Sequence, residues 1–174
     1  MTIYTIGHST RSFDDFVARL RGRGITQLAD IRTVPRSRRH PHFSGDALAQ
    51  SLPAVGIAYR HFPSLGGLRK PRRDSPNTGW RHPSFRGYAD HMQTAEFERG
   101  IEELVAWQRR SAEPTVIMCA EAVWWRCHRQ LVADALVARG VEVFHIMDTE
   151  SPTAHTLTDF ARVSDGRVSY PGLI

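Results

Sequence analysis

TVIMCAEAVWWRCHRQLVADALVARGVEVFHI, Thr115 to Ile146, is the stretch whose reading decides the fold. Thr115 to Met118 is a short apolar run of the kind a buried strand shows, and Val141 to Ile146 is another. Between them Leu131, Ala135 and Ala138, with Val132 and Leu136 beside them, recur at helical spacing, and Gly140 ends the pattern as glycine does past a helix terminus. Strand, helix and strand in that order make a βαβ unit. Its strand-to-helix junction, CAEAVWWRCHR from Cys119 to Arg129, packs two thiols, a carboxylate, an imidazole, two guanidiniums and two indoles into eleven residues. Open α/β sheets place ligands at such junctions, because strand carboxyl ends and helix amino ends face the same crevice.

Outward from this unit the same alternation repeats. Ile3 to Gly7 is a strand, followed by Ser12 as an N-cap and by Phe13, Phe16, Val17 and Leu20 on one helical face, with Gly22 and Gly24 ending the helix. Gln27 to Ile31 and Ile57 to Phe62 are further strands. Asp46 to Leu52 forms a short helix that Pro53 should stop. Ser64 to Pro83 carries glycine, proline and arginine without a hydrophobic period, as functional or mobile loops do. Phe85, Tyr88 and Met92 mark a short helix, and Thr94 caps a longer one whose core face is Phe97, Ile101, Leu104 and Val105. The expected fold is a three-layer α/β/α sandwich with a mostly parallel sheet of about five strands. It forms a single domain over residues 1–174, with its core in 1–148 and a tail, 149–174, containing one further strand candidate at Val168 to Tyr170.

The composition fits a folded globular chain, with 41% hydrophobic and 24% charged residues. No apolar stretch reaches the length of a membrane span, and MTIYTIGHST lacks the pattern of a signal peptide, so the expected location is the cytoplasm. Two cysteines in a reducing compartment read as free, catalytic or metal-bound rather than as a structural disulfide. The net charge of +5 is carried by arginine, with Lys70 the one lysine. Arginine's planar fork suits phosphate and carboxylate, which points to an anionic small molecule or a nucleic acid as partner.

Polar residues follow each proposed strand: His8 and Ser9; Asp30, Arg32 and Arg36; His61; Cys119 and Glu121; His145 and Asp148. In a parallel sheet these ends lie along one edge and converge on one crevice. The helix after Cys119 is expected to open with Arg126, His128 and Arg129 in its first turn. Positive charge there opposes the helix dipole by about 0.3–1 kcal/mol per residue, so a negative group should compensate, whether Glu121, Asp30 or a bound anion. A thiol near arginine and a helix amino end has a lowered pKa. Cys119 is therefore the expected nucleophile, with His128 or His8 as acid/base groups, whereas Cys127 shares the helical face of Leu131 and Ala135.

Arginine-rich segments with aromatics nearby, Arg32 to Phe43 and Arg69 to Trp80, would suit single-stranded nucleic acid, or else form a solvated surface. Cysteine phosphatases place arginine one residue nearer their cysteine than Arg126 lies, and Asp30-Ile31-Arg32 matches the early strand of rhodanese-like sulfurtransferases only loosely. A metal held by Cys119, Cys127 and His128 would need an unusually long gap between the thiols. No metal or cofactor is expected.

Several motifs together resemble one family. TIGHSTRSFDDF (Thr5 to Phe16), Asp30 to Ser37, YRHFPSLGG (Tyr59 to Gly67), FRGYADHM (Phe85 to Met92), CAEAVWWRCHR and HIM (His145 to Met147) look like the bacterial and archaeal family called domain of unknown function 488. The resemblance runs to about Asp148. It implies a Rossmann-like fold and shared polar positions at His8, Ser9, Asp30, Arg32, Cys119, Glu121, Cys127, His128 and Arg129, and it supplies no reaction.

These readings lead to an intracellular enzyme, a cysteine-dependent hydrolase or transferase. Cys119, His128, Glu121 and His8 would do the chemistry, and Ser9, Asp30, Arg32, Arg36, Arg126, Cys127 and Arg129 would bind an anionic, nucleotide-like substrate. The alternatives are a nucleic-acid-binding module with structural cysteines, and a thiol redox or metal-binding protein. A redox pair requires Cys119 and Cys127 to lie within bridging distance.

Overall fold

In the computed structural model, which describes residues 1–149 and 151–173, β1 (Thr2–Gly7), β2 (Gln27–Asp30), β3 (Ala58–His61), β4 (Thr115–Cys119), β5 (Glu142–His145) and β6 (Thr153–Ala154) form one sheet in the order β3-β2-β4-β1-β5-β6. The first five strands are parallel, and β6 pairs antiparallel with β5. Side-chain alternation along β4 explains the two cores. Val116 and Met118 join Ile6 and Leu28 beneath α1 (Phe13–Arg21) and α2 (Gly45–Ala54). Ile117 and Cys119 join Ile3, Ala29 and Val143 beneath α3 (Pro83–His91), α4 (Ala95–Arg109) and α5 (Arg129–Val137). The result is the expected three-layer sandwich, with the central strand β4 buried on both faces because helices cover both.

The helix starts follow their caps. Ser12 and Thr94 each accept an N–H three residues on, from Asp15 and Phe97. One expected stop is wrong: α2 runs through Pro53 to Ala54. Proline removes only its own N–H bond to the preceding turn, and in a last turn that loss is small enough for the helix to finish. Among the described residues, no helix is long and apolar enough to cross a membrane.

The tail is folded onto this sandwich. A hairpin of β7 (Arg162–Ser164) and β8 (Arg167–Ser169) leads to Tyr170, whose ring is fully buried. The long loop before α3 is also organised, around the buried Asp90 carboxylate. Asp90 accepts from Arg72 N–H at 2.8 Å, Ser75 Oγ at 2.6 Å and Asn77 Nδ2 at 2.7 Å. Asn77 Oδ1 in turn accepts the Tyr170 N–H at 2.9 Å, joining loop and tail.

The sheet order positions the site. After β2 the chain leaves towards β3 on one side, and after β4 it leaves through α5 towards β5 on the other. The two departures leave a crevice between the carboxyl ends of β2 and β4.

Candidate functional site

A cleft of about 730 Å³ occupies that crevice. Arg32 to Val34 and Arg36 line it from β2, Cys119 to Glu121 and Trp125 to His128 from β4, and Gly67, Leu68 and Phe85 close it from the long loop and α3. A volume of this size suits a small organic ligand.

At the cleft floor the two sulfurs meet, Cys119 Sγ lying 2.9 Å from Cys127 Sγ, and both cysteines are free. Their environments differ. Cys127 has extended dihedrals, φ −140° and ψ 169°, and its sulfur accepts the Arg129 N–H at 3.3 Å in the manner of an N-cap. Arg129 Nε–H reaches the same sulfur at 3.3 Å. Cys119 is 3% exposed, and its sulfur has the Glu121 carbonyl oxygen 3.8 Å away, which repels a thiolate and accepts an S–H.

Burial foremost, then the neighbouring Cys127 sulfur, pushes the Cys119 thiol well above the ordinary range. Burial would also raise Cys127, but the Cys119 S–H, the His128 imidazole and the Arg129 guanidinium outweigh it and bring Cys127 well below that range. These opposite shifts favour Cys127 as the thiolate of the pair and Cys119 as the thiol.

The expected helix start is corrected. Trp124 to Arg126 form a 3-10 turn and α5 begins at Arg129, so Arg126 and Cys127 both lie outside the helix, although Cys127 packs against the core cluster that holds Leu131 and Ala135. The positive charge at this amino end is matched by neither Glu121 nor Asp30. The Cys127 sulfur takes that role at the helix terminus. Arg129 is fully buried, and it also donates through Nη2 to the Glu121 carbonyl at 2.6 Å and the Ala122 carbonyl at 3.3 Å. The Glu121 carbonyl is brought inward because β1 ends in Gly7, where a Cβ would stand 1.8 Å from that oxygen.

His128 Nε2–H donates to the Ile31 carbonyl at 2.7 Å, which fixes the orientation of the ring. Nδ1 faces Gly67, where a Cβ would stand 2.5 Å away. Arg32 lines the cleft but is already engaged: Asp30 takes its Nε and Nη2 at 2.9 and 2.6 Å, and the Phe43 carbonyl takes Nη2 at 2.8 Å. Tyr59 O–H donates to the same Asp30 carboxylate at 2.7 Å. Arg36 and Arg126 are exposed at the rim among three exposed apolar side chains, Val34, Leu68 and Trp125.

His8 and Ser9 do not line the cleft. His8 sits behind Arg32, stacked on Phe43 at 4.5 Å, with Nδ1–H donating to the Ser9 carbonyl at 2.9 Å and Nε2 lying 3.4 Å from Arg32 Nη1. Burial pushes its pKa down to about 4, so the ring is neutral at physiological pH. Ser9 holds the loop, its N–H donating to the Ala120 carbonyl at 3.0 Å. Phe43 is buried in the core, and Trp80 packs against Phe85, Phe160 and Tyr170, so neither offers a face for a nucleobase. Among the described residues, no group of three or more His, Cys, Asp or Glu is placed to hold a metal ion.

Behind Arg129 lies a buried polar chain that the sequence reading missed. Thr5 Oγ1 lies 3.5 Å from Arg129 Nη1 and 2.7 Å from His145 Nδ1. His145 Nε2 lies 2.9 Å from His155 Nδ1, and His155 Nε2–H donates to Asp134 Oδ1 at 2.8 Å. The tail histidine belongs to no periodic pattern, and Tyr170 was read only as part of a strand candidate, so tertiary contact alone shows that both reach Asp134.

No curated protein and no solved structure matches the chain. A family model, described as "Domain of unknown function DUF488", matches residues 12–136, from the α1 cap into α5, a span that includes both cysteines, His128 and Arg129. Covering well over half of the chain, and containing Asp30 to Ser37, YRHFPSLGG, FRGYADHM and CAEAVWWRCHR, this match places the protein in the DUF488 family.

Proposed function

We propose that the protein is a thiol-dependent enzyme that exchanges electrons between its Cys119–Cys127 pair and an anionic organic disulfide. The observation that carries this reading is the pairing of the two sulfurs at 2.9 Å, with Arg129 N–H and Nε–H both directed at Cys127. A thiolate at a helix amino end, partly open to a cleft and backed by a buried thiol, has the division of labour that two-step thiol exchange requires. This assigns attack to Cys127 and resolution to Cys119, the reverse of the order expected from strand position alone.

In the first step Cys127 thiolate attacks one sulfur of the substrate disulfide. The Cys127–substrate S–S bond forms, the substrate S–S bond breaks, and the other half leaves as a thiolate. In the second step Cys119 loses its proton to the His128 imidazole or to solvent and attacks the Cys127 sulfur, releasing the second thiolate and closing the Cys119–Cys127 disulfide. Two electrons have then passed from the protein to the substrate, and an external dithiol restores the reduced pair. Arg36 and Arg126 at the rim supply the preference for negative charge, and Val34, Leu68 and Trp125 cover the apolar part of the molecule.

The test is reaction of reduced protein with an aromatic disulfide bearing carboxylates, followed by thiolate release and mass spectrometry. The wild type should release both aromatic thiolates and lose two hydrogens in mass. Cys119→Ser should stop at a stable mixed disulfide on Cys127, having released one. Adduct formation on Cys119, or none, would overturn the assignment.

A further inference from the structure

The polar chain behind Arg129 has a direction. With one proton on each imidazole, every bond points the same way: Arg129 Nη1–H to Thr5 Oγ1, Thr5 O–H to His145 Nδ1, His145 Nε2–H to His155 Nδ1, and His155 Nε2–H to Asp134. The guanidinium stands at one end and the carboxylate at the other. Asp134 is itself held by the tail, accepting Tyr170 O–H at 2.7 Å, Thr158 Oγ1–H at 2.8 Å and Thr158 N–H at 3.0 Å. Such fully paired buried networks are rigid, since each member would be left without a partner if it turned.

The chain meets the site at two points. One is Arg129 itself. The other is Trp124, in the turn between the two cysteines, whose ring lies parallel to His145 with centroids 4.2 Å apart and planes within 4°. The edge of His155 meets the same indole at 5.4 Å. Thr5, His145, His155, Thr158 and Tyr170 all lie outside the stretch that the family model matches, whereas Arg129, Trp124 and Asp134 lie inside it.

We infer that Thr5, His145 and His155 are positioning residues for the thiol pair, through which the C-terminal segment, anchored on Asp134, holds Arg129 and Trp124 in the places that define the Cys127 environment. This rests on the proposed role of Cys127, and it makes the tail part of the site. The titratable and charged groups that act on the Cys127 sulfur are Cys119, His128, Arg129 and, from α3, Tyr88. The chain acts on one of these, Arg129, and on the turn that carries the sulfur.

The experiment measures the pH midpoint of Cys127 alkylation by iodoacetamide in Cys119→Ser protein carrying either His155→Phe or Thr5→Val, alongside thermal melting. His155→Phe keeps a ring against Trp124 and removes both nitrogens, and Thr5→Val removes one hydroxyl at constant shape. The expected result is a rise in the midpoint by about one pH unit for His155→Phe, a tenfold loss of thiolate below it, and a smaller rise for Thr5→Val. A merely structural role would lower the melting temperature and leave the midpoint unmoved, and that outcome in either folded variant overturns the inference. If His155→Phe does not fold, Thr5→Val alone decides. Failure of the underlying reading looks different, because the parent protein itself would then titrate like an ordinary thiol.

Discussion

Arg129 gives Cys127 two hydrogens, one from its backbone and one from its side chain, each to the same sulfur at 3.3 Å. A residue that follows the cysteine by two positions can do this only because Cys127 is extended and the helix begins immediately after it. The sulfur therefore receives the unpaired amide of a helix start together with a buried guanidinium, and both favour the anion.

Replacing Arg129 tests that assignment most directly. Arg129→Lys cannot reach the Glu121 carbonyl and the Cys127 sulfur in one planar arrangement, so the Cys127 midpoint should rise and the protein should lose stability. The loss expected from giving up hydrogen bonds to a buried charge is about 1.5–3 kcal/mol, read by urea unfolding. An unchanged midpoint would place the thiolate elsewhere.

The two cysteines should separate in reactivity. With Cys127→Ser, the remaining Cys119 should react with iodoacetamide at neutral pH more slowly than a free thiol, because burial keeps it protonated. With Cys119→Ala, Cys127 should still react faster than a free thiol, with a midpoint somewhat raised by the loss of the S–H donor. Alkylation followed by peptide mapping distinguishes these outcomes.

Gly7→Ala should disturb the site from a distance in sequence of more than a hundred residues. The new methyl would stand 1.8 Å from the Glu121 carbonyl, a backbone atom that must shift. Overpacking of this kind costs about 1–3 kcal/mol, and the shift would remove the shortest bond to Arg129. The expected readouts are a lower melting temperature and weaker thiolate absorbance at neutral pH.

Stability should fall as pH drops from about 6.5 towards 4. Burial lowers His8 to about 4 and, with His155 and Arg129 nearby, His145 to about 3, from an ordinary value of 6.5. In that window the unfolded chain binds protons that the folded chain refuses, so unfolding gains on acidification and the contribution is fully present above 6.5. His8→Phe, which keeps a ring on Phe43, should flatten the slope in urea unfolding measured across this range.

Charge reversal at the rim, Arg36→Glu with Arg126→Glu, should weaken the reaction with a carboxylate-bearing disulfide roughly tenfold, about 1.4 kcal/mol. Exposed side chains tolerate such changes, so the melting temperature and the Cys127 midpoint should stay put. Equal rates for anionic and neutral disulfides in the wild type would remove these arginines from substrate recognition.

The sequence by itself determined the layered architecture, because hydrophobic period and capping chemistry are local. Five parallel strands, five helices and the junction at Cys119 were legible from residues a few positions apart. It also marked Cys119, Cys127, His128, Arg129, Arg32 and Arg36 as worth attention, since dense polar chemistry beside a buried strand is unusual. Tertiary structure alone decided their parts. Which sulfur is the anion depends on where Arg129 folds back, and Arg32 proves to be engaged by Asp30 only once β2 and the following loop are in place. The loop before α3 gave no periodic signal because its order comes from bonds to distant residues, Asp90, Thr33 and Tyr170 among them. His155, and the part that Tyr170 plays beyond its strand candidate, were invisible for the same reason: their partner, Asp134, lies 21 and 36 residues away, and no local pattern records a hydrogen bond across that distance.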